Sequence, residues 1–337
     1  MGPGAFVARF GGDEFPIVLA DQKKVPGEEK EPYQRLLLEF REPFALQNAE
    51  AFMSASIGIT RFPDHACDIE GLLANADAAM YAAKSEGKNQ IRMFSSEQQA
   101  HRAKQRQVQD KLRRALEDGE IELWFQPKIY AIDGTSAGCE ALARWKTPGG
   151  DYIPPGSFVP VAEQTGLISP LGNKVFQLAA EQACRWHADG LSPDIAVNVS
   201  PQQLRHPRFV KQLQSILDST QALATWFELE ITENAVMADV AQAAAVIDEL
   251  GSLGFRIAID DFGTGHSSLS YLKTFNIHTL KIDLSFVRDL MRDESSNAIV
   301  RSIISLGTGL NLTLVAEGVE TSAQANFLTE SGCDILQ

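Results

Sequence analysis

Two adjacent carboxylates, Asp260 and Asp261, follow a short apolar segment and are the residues of this sequence best suited to metal chemistry. The segment, residues 255–259, is rich in β-branched residues, which predicts a buried strand. Successive strand residues face opposite sides of a sheet, so the two acids can share one site only where the backbone leaves the pleat. We expect Gly263 and Gly265 to supply that turn. A divalent cation between the acids would relieve their repulsion.

The elements that must position these acids are strands and helices in alternation from Ile121 onward. Such alternation predicts an α/β architecture with a mainly parallel sheet, and about eight strands in about 220 residues predict a closed (β/α)8 barrel. The predicted strands cover 121–129, a short run ending at 140, 195–199, 227–231, 255–259, 279–282, 312–316 and 333–336. The predicted helices cover 161–188, 209–218, 240–251, 296–307 and 322–331.

Polar residues recur where the predicted barrel strands end. In such barrels, the C-terminal ends of different strands converge on one mouth, so these residues are expected to build one site. Carboxylate and amide oxygens are hard ligands, which predicts Mg²⁺ or Mn²⁺ rather than Zn²⁺. The residues are Glu140, Asn198, Glu230, Glu233, Asp260, Asp261, Lys281, Asp283, Glu317, Glu320 and Gln337.

Six motifs follow one another along the predicted barrel. They are Glu140-Ala-Leu-Ala-Arg-Trp145, Asn198-Val-Ser200, Glu230-Ile-Thr-Glu233, Asp260-Asp-Phe-Gly-Thr-Gly265, Leu280-Lys-Ile-Asp283 and Glu317-Gly-Val-Glu320. This set resembles the EAL domain, the phosphodiesterase that acts on cyclic di-GMP. The resemblance covers nearly all of residues 111–337. It implies an EAL-type (β/α)8 TIM-like barrel that hydrolyses cyclic di-GMP to linear pGpG.

The resemblance also implies a pair of Mg²⁺ or Mn²⁺ ions and assigns their ligands. One cation would be held by the four residues Glu140, Asn198, Glu230 and Asp260, and Asp260 would bridge to a second cation held with Asp261. Two cations can activate a water, neutralise a phosphate and stabilise the leaving oxygen, which suits in-line attack on a phosphodiester.

Further roles follow from the same resemblance. Lys281 would orient the attacking water or relay its proton. Glu317 and Gln337 would complete the shell around metal and water, and Glu320 would contact that shell or act as a base. Glu233 would tether the Asp-Phe-Gly-Thr-Gly loop in its active arrangement.

The substrate is expected to meet residues near Glu140. Arg144 can bind a phosphate through two parallel hydrogen bonds. Gln126, Leu142 and Asp283 are predicted to line the ligand pocket.

The sequence departs from the family pattern at two places. His266 stands where the family more often has Tyr, and we interpret it as a neutral loop residue. The chain stops at Gln337, where the family continues with Gly-Tyr and a closing helix. Because parallel barrel strands need both faces buried, we expect reduced stability and impaired turnover from an uncovered last strand.

The first hundred residues begin with a predicted hairpin over residues 6–19. Its Gly11-Gly-Asp-Glu-Phe15 turn, with Ser56-Ile-Gly-Ile59, residues 76–84 and Gly87-Lys-Asn89, resembles the C-terminal half of a GGDEF (diguanylate cyclase) domain. In that family, an acid of the turn would hold Mg²⁺, which here would be Asp13 or Glu14. Only about ten residues precede the motif, so the family's opening half is missing and no cyclase activity is expected.

The predicted organisation is a partial α+β GGDEF domain over 1–94, a connecting helix over 95–110 and an EAL domain over 111–337, truncated at its C-terminus. An incomplete sheet exposes an edge, which predicts a homodimer. The length of 337 residues and the content of 44% hydrophobic and 22% charged residues are those of a globular protein large enough for two domains.

The net charge and the cysteines limit which binding partners and which cellular compartment are expected. The formal net charge of -14 argues against binding of long nucleic acid, whose affinity comes from many Lys and Arg contacts to phosphates. Four widely spaced cysteines without a C-x-x-C pair predict neither a zinc site nor a disulfide framework and favour the cytoplasm. We find no long apolar run and no signal-peptide pattern, so no membrane segment is predicted in this chain, although a longer parent protein could be anchored.

The sequence suggests three alternative functions. The leading hypothesis is a metal-dependent hydrolase of cyclic di-GMP. The alternative is a non-catalytic receptor or scaffold that binds the dinucleotide and signals through the connecting helix. Diguanylate synthesis from GTP is undermined by the missing half of the first domain.

Overall fold

The structure, a computed structural model, describes residues 5–19, 31–40, 44–46, 49–51, 54–85, 89–263 and 275–337. The chain divides into two compact units, Met1–Lys104 and Gln105–Gln337. Three predicted features fall wholly or partly outside the described residues: the end of the Asp-Phe-Gly-Thr-Gly loop (Thr264 and Gly265), His266, and the start of the Gly87-Lys-Asn89 motif.

The first unit contains short strands and helices. The predicted hairpin is present, because β1 pairs with β2 in antiparallel fashion and Gly11 bridges to Glu14. Helix α2 packs on the parallel pair β5 and β6, and a Cβ on Gly58 would lie 2.0 Å from the backbone oxygen of Ala76, so only glycine allows this approach. The elements are β1 (Ala5–Val7), β2 (Ile17–Leu19), α1 (Glu31–Glu39), β3 (Phe44–Leu46), β4 (Ala49–Ala51), β5 (Ile57–Ile59), α2 (Ile69–Ser85), β6 (Ile91–Met93) and α3 (Ser96–Asp118).

The boundary between the two units falls within α3, which begins at Ser96 and ends at Asp118. Its last turns belong to the second unit, where Leu112 and Ala115 are fully buried in the core. The connecting helix predicted over 95–110 is therefore part of a longer helix.

Eight strands of the second unit close into a barrel, which confirms the predicted fold class. Neighbours pair in the order β7-β8-β10-β11-β12-β13-β14-β15 and back to β7, and the short β9 lies on the outer part of β8. The strands are β7 (Ile121–Tyr130), β8 (Ser136–Lys146), β9 (Tyr152–Ile153), β10 (Ile195–Val199), β11 (Phe227–Thr232), β12 (Arg256–Phe262), β13 (Thr279–Ile282), β14 (Thr313–Ala316) and β15 (Ile335–Leu336).

Strand β7 runs antiparallel to both of its neighbours, whereas the other barrel strands are parallel. The cause is the short connection to β8, which passes through Gly134 at a φ of 69°. A connection of this length can only reverse the chain direction, because a parallel return needs a crossover of a dozen or more residues. Strand β7 therefore runs away from the mouth, so its last residues lie at the opposite end of the barrel.

The prediction that the second barrel strand ends at Glu140 is wrong. Strand β8 continues to Lys146, because it pairs with β7 from Ser136 to Trp145 and then with β9. Glu140, Leu142 and Arg144 are alternate residues of this strand and so share one face.

Helices cover the outside of the barrel and complete its core. The single helix predicted over 161–188 is two helices, because Gly166 ends the first one in the left-handed region at a φ of 76°. Phe176 of the second packs on Phe227 and Phe255 at ring distances of 5.0 and 5.7 Å. The helices are α4 (Pro155–Thr165), α5 (Ile168–Ala188), α6 (Pro201–Leu204), α7 (Phe209–Thr220), α8 (Glu233–Met237), α9 (Val240–Leu253), α10 (Leu284–Arg288), α11 (Glu294–Gly309) and α12 (Ser322–Ser331), with a 3-10 turn at Ala224–Trp226.

A membrane-crossing helix would need a long apolar stretch, and none of the helices in the described part of the chain has one.

Candidate functional site

Lys281 lies at the centre of the site, in the interior of the barrel. Its side chain is completely buried, and its ammonium group contacts carboxylates from four other strands or their ends. The distances from Nζ are 2.5 Å to Glu317, 2.7 Å to Glu230, 3.4 Å to Asp260 and 3.5 Å to Glu140. The structure thus brings together acids that are separated by up to 177 positions in the sequence, from 140 to 317.

Two amides extend this cluster around Glu140. Asn198 Nδ2 donates to Glu140 Oε1 at 2.6 Å, and Gln337 Nε2 donates to Glu140 Oε2 at 2.5 Å. The other amide oxygen, Oε1 of Gln337, is buried and has no hydrogen-bond partner among the described residues. Buried polar atoms are normally paired, so this oxygen is available to a ligand.

The backbone at Asp261 places both adjacent acids at the site. The β12–β13 register shifts between Ile259 and Phe262, and Asp261 takes a left-handed φ of 55°. Its N–H donates to Asp260 Oδ1 at 2.9 Å. The departure from the pleat was predicted, but it occurs at Asp261 itself and not first at Gly263. Because of it, oxygens of Asp260, Asp261 and Glu317 all lie within 4.8 Å of one another.

Glu233 contacts the start of the loop after β12. Its Oε2 accepts a hydrogen bond from the Gly263 N–H at 3.1 Å, and the side chain is 1% exposed. Gly263 has a φ of 95°, and a Cβ there would approach Phe286 to 3.0 Å. The hydrogen bond lies at the first described residue of the loop that Glu233 is predicted to tether.

Burial and mutual repulsion raise the proton affinity of the acids at the rim. Burial raises the pKa of Asp260 to about 7, and the neighbouring Glu317, Glu230 and Asp261 add to the effect against the opposing Lys281. Burial also raises the pKa of Glu317. The pKa of Asp261 is raised by burial and by Asp283 beside it. Negative charge therefore exceeds positive charge at this end of the barrel.

The two innermost groups show the opposite balance. Burial acts to raise the pKa of Glu230, but Lys281 and Lys128 outweigh it and lower that pKa. Burial acts to lower the pKa of Lys281, but Glu230, Asp260, Glu140 and Glu317 raise it well above its ordinary value. Glu230 is therefore an anion between two cations, and Lys281 is a cation surrounded by anions.

The donor set fits a hard divalent cation. Four carboxylates surround Lys281, Asp261 lies beside two of them, and two amides contact Glu140. Among the described residues, the candidate metal cluster contains only carboxylates, without Cys or His. Oxygen ligands of this kind suit Mg²⁺ or Mn²⁺. A cation would also offset the repulsion that raises the pKa of Asp260.

The residues predicted to meet the substrate form a strip beside Glu140. In the β7–β8 register, Gln126 lies opposite Glu140, and Trp124 lies opposite Leu142. Gln126 is exposed and Leu142 is half-buried. The Arg144 guanidinium lies over the Trp124 ring, 5.1 Å from its centre.

Two predicted residues lie at the edge of the cluster. Asp283 caps α10 by accepting the Ser285 N–H at 2.9 Å, and it faces Asp261. Glu320 is exposed, and its backbone N–H donates to Gln324 Oε1 at 3.0 Å in the cap of α12. In the described part of the chain, the ion pairs of Lys281 do not include Glu320.

Two further charged residues of the barrel interior, Lys128 and Glu228, were not predicted from the sequence. Lys128 Nζ lies 2.8 Å from Glu230 Oε1 and 3.7 Å from Glu228 Oε2. The sequence pattern could have pointed to both residues. Glu228 and Glu230 are alternate residues of β11 and so share one face, and Lys128 interrupts the apolar end of β7.

Comparisons with known proteins match each unit of the chain to a family. The family model described as "EAL domain" matches residues 109–337, and "Diguanylate cyclase, GGDEF domain" matches residues 1–90. The Pseudomonas aeruginosa bifunctional diguanylate cyclase/cyclic di-GMP phosphodiesterase MucR is 41% identical over 98% of this chain and 48% of its own length. The Escherichia coli cyclic di-GMP phosphodiesterase PdeR is 36% identical over 98% of this chain and 50% of its own length.

A solved structure described as "PaMucR Phosphodiesterase, c-di-GMP complex" is similar to the barrel. It is 43% identical, has a TM-score of 0.66, and the match covers 68% of this chain and 94% of that one. The chain spans about half the length of the curated relatives it matches. The family match covers the whole barrel and includes every residue of the Lys281 cluster, so this chain belongs to the EAL domain family.

Proposed function

We propose that this chain is a metal-dependent phosphodiesterase that hydrolyses cyclic di-GMP to linear pGpG. The observation that carries the proposal is the convergence of four carboxylates on buried Lys281 at the mouth of the barrel. The names of the relatives MucR and PdeR and the cyclic di-GMP in the MucR complex support the same substrate.

The proposed metal ligands are the residues around Glu140 and Asp260. Glu140, Asn198, Glu230 and Asp260 would hold one Mg²⁺ or Mn²⁺, and Asp260 and Asp261 would hold a second. When bound, the cations would neutralise the phosphodiester and lower the pKa of the attacking water. The close approach of the Asp260, Asp261 and Glu317 oxygens supports the placement of the second ion.

Lys281 and Glu317 would act on the attacking water. The neighbouring carboxylates raise the pKa of Lys281, and its ammonium group would orient the attacking water or relay its proton. Glu317, 2.5 Å from Lys281, and the unpaired Gln337 oxygen would complete the shell around this water.

The substrate would lie along the strip of β7 and β8. Arg144 would hold a phosphate through charge-assisted hydrogen bonds, and Gln126, Leu142 and Asp283 would line the pocket. Glu233 would keep the loop after β12 in place through Gly263, so that Asp260 and Asp261 stay aligned. Glu320, which is exposed beside the cap of α12, would contact the shell around metal and water or act as a base.

Chromatography of the reaction products tests the proposal. Purified protein is incubated with cyclic di-GMP and Mn²⁺, and pGpG is expected as the product. A folded, metal-loaded sample that yields no pGpG would reject the hydrolase. Tight binding of cyclic di-GMP with Ca²⁺, combined with no hydrolysis in Mg²⁺, would favour the receptor instead.

The remaining sequence-based predictions belong to this proposal. They are a homodimer, a cytoplasmic location, the absence of cyclase activity, and domain boundaries at 94 and 110. Light scattering after size-exclusion chromatography tests the first, and a search for any cyclic product from GTP tests the third.

A further inference from the structure

A second layer of charged residues fills the barrel beneath the rim. Lys128, Glu228 and Thr279 are 4%, 8% and 1% exposed. Thr279 Oγ1 donates to Glu228 Oε1 at 2.5 Å, and Arg256 Nη2 lies 3.7 Å from the same oxygen. Glu228 in turn lies 3.7 Å from Lys128. These residues belong to the N-terminal halves of the parallel strands and to the far end of β7, so the layer lies away from the mouth.

A layer of this kind calls for a physical reason. The interiors of such barrels are usually filled by bulky branched apolar residues. A buried ion pair gives little net stability compared with apolar residues of the same volume, because both charges lose their hydration. The stability of the barrel alone therefore does not account for Lys128.

Lys128 is directed at one oxygen of Glu230. Lys128 Nζ donates to Glu230 Oε1 at 2.8 Å, and Lys281 Nζ donates to Glu230 Oε2 at 2.7 Å. The Glu230 carboxylate is therefore held from two sides and is 1% exposed. Because β7 is antiparallel, its far end reaches Glu230 from below while its beginning, with Trp124, lies on the substrate strip.

We propose that Lys128 is a positioning residue that fixes the rotamer of Glu230 for metal binding. This inference rests on the proposed function, in which Glu230 is a metal ligand. Lys128 lines a pocket of about 210 Å³ at the opposite end of the barrel, with Tyr130, Asp194, Glu228 and Arg256, and it contacts the proposed metal ligands through Glu230. Partners that orient metal ligands typically change metal affinity or activity by about 10- to 100-fold when removed.

A charge-matched double variant separates positioning from electrostatics. Lys128→Met alone removes a positive charge, which by itself would strengthen Mn²⁺ binding. Lys128→Met combined with Glu228→Gln removes one charge of each sign, so the net charge of the barrel interior is unchanged. Any weakening of Mn²⁺ binding in this double variant then reports the freed Glu230 carboxylate.

The measurement is Mn²⁺ binding without nucleotide, by the electron paramagnetic resonance signal of free Mn²⁺. The double variant is expected to bind Mn²⁺ about tenfold more weakly than the unsubstituted chain. In the cyclic di-GMP assay its kcat falls while its KM is unchanged, because Lys128 does not touch the substrate. Lys211→Met, at an exposed position of α7, is the control and leaves Mn²⁺ affinity unchanged.

Wild-type Mn²⁺ affinity in a folded double variant would overturn the proposal, because Lys128 would then serve only to neutralise Glu228. If the methionine variant does not fold, Lys128→Gln with Glu228→Gln is measured by the same criterion, since glutamine is one atom shorter than lysine. The binding experiment uses no nucleotide. An unsubstituted chain that binds Mn²⁺ but makes no pGpG would therefore reject the proposed hydrolase and leave the test of Lys128 intact.

Discussion

Two pairs of adjacent acids, one in each unit of the chain, have opposite surroundings. Asp13 and Glu14 are exposed at the turn of the β1–β2 hairpin, where the backbone is closed by the Gly11–Glu14 bridge. Asp260 and Asp261 lie at the end of a barrel strand, and Asp260 is 8% exposed. Asp13 and Glu14 follow β1 in the sequence, whereas Asp260 and Asp261 lie in the last three residues of β12. Both pairs belong to segments that resemble a metal motif.

The difference shows that the surroundings, more than the motif, make an acid chemically distinctive. Around Asp260, burial and three further carboxylates raise the pKa to about 7, and a buried lysine compensates only part of the charge. The hairpin turn has one described cation nearby, Arg9, and its guanidinium donates to the backbone oxygen of Gly12 at 2.9 Å. The acids of the barrel are thus buried close to one another, whereas those of the hairpin are exposed to water.

The largest expected effect comes from removing a carboxylate of the barrel cluster. Glu140→Ala is expected to abolish pGpG formation, because Glu140 contacts Asn198, Gln337 and Lys281 at once. The matched variant Asp13→Ala in the hairpin is expected to leave hydrolysis unchanged. Product chromatography with Mn²⁺ measures both. Equal losses in the two variants would erase the contrast between the regions.

Removing the central cation is expected to have the next largest effect. Lys281→Ala should lower turnover by about 10²- to 10⁴-fold, which is the usual range for a residue that takes part in proton transfer. Steady-state rates at saturating cyclic di-GMP measure the loss, and Lys211→Ala on the exposed face of α7 is the control. Turnover within the range of the control would show that Lys281 only balances charge.

The raised pKa of Asp260 predicts a dependence of stability on pH in metal-free protein. The folded chain keeps a proton on Asp260 that the unfolded chain, with a pKa of 3.8, has already released, so raising the pH from about 4 to about 7 destabilises the fold.

The comparison that isolates this effect is with Asp260→Asn. Between pH 5 and pH 8 with EDTA, the unfolding free energy of the unsubstituted chain should fall relative to that of the variant by about 2 kcal/mol. Urea denaturation at the two pH values measures it. A difference that rises with pH would contradict the assignment, and Mn²⁺ should reduce the effect because it favours the ionised acid.

The smallest expected effect lies on the substrate strip. Arg144→Ala should raise the KM for cyclic di-GMP by about tenfold with little change in kcat, as expected for the loss of charge-assisted hydrogen bonds to a partly solvated phosphate. The exposed Arg185 on α5 provides the control Arg185→Ala. An unchanged KM would show that the phosphate lies elsewhere along the mouth.

Much of the fold could be predicted because the barrel strands carry strong local signals. Residues 195–199 and 279–282 were predicted with the bounds that the structure has, since both are short, apolar and β-branched. The strand at Glu140 was predicted too short, because only its pairing with β7 and β9 extends it to Lys146. The break at Gly166 was missed, because one glycine within a long amphipathic stretch is tolerated in a helix.

The amino-acid sequence by itself determined the types of side chain available for chemistry and their order along the strands, because strand-end positions are set by local patterns of polarity. Only the tertiary structure decided that Lys128 reaches Glu230 and that Glu320 stays at the surface. The contact between Lys128 and Glu230 depends on the closure of the barrel and on the direction of β7, which bring together residues 102 positions apart. Proximity of that kind, and the pKa of about 7 that burial gives Asp260, arise from packing between strands and leave no mark on the local sequence.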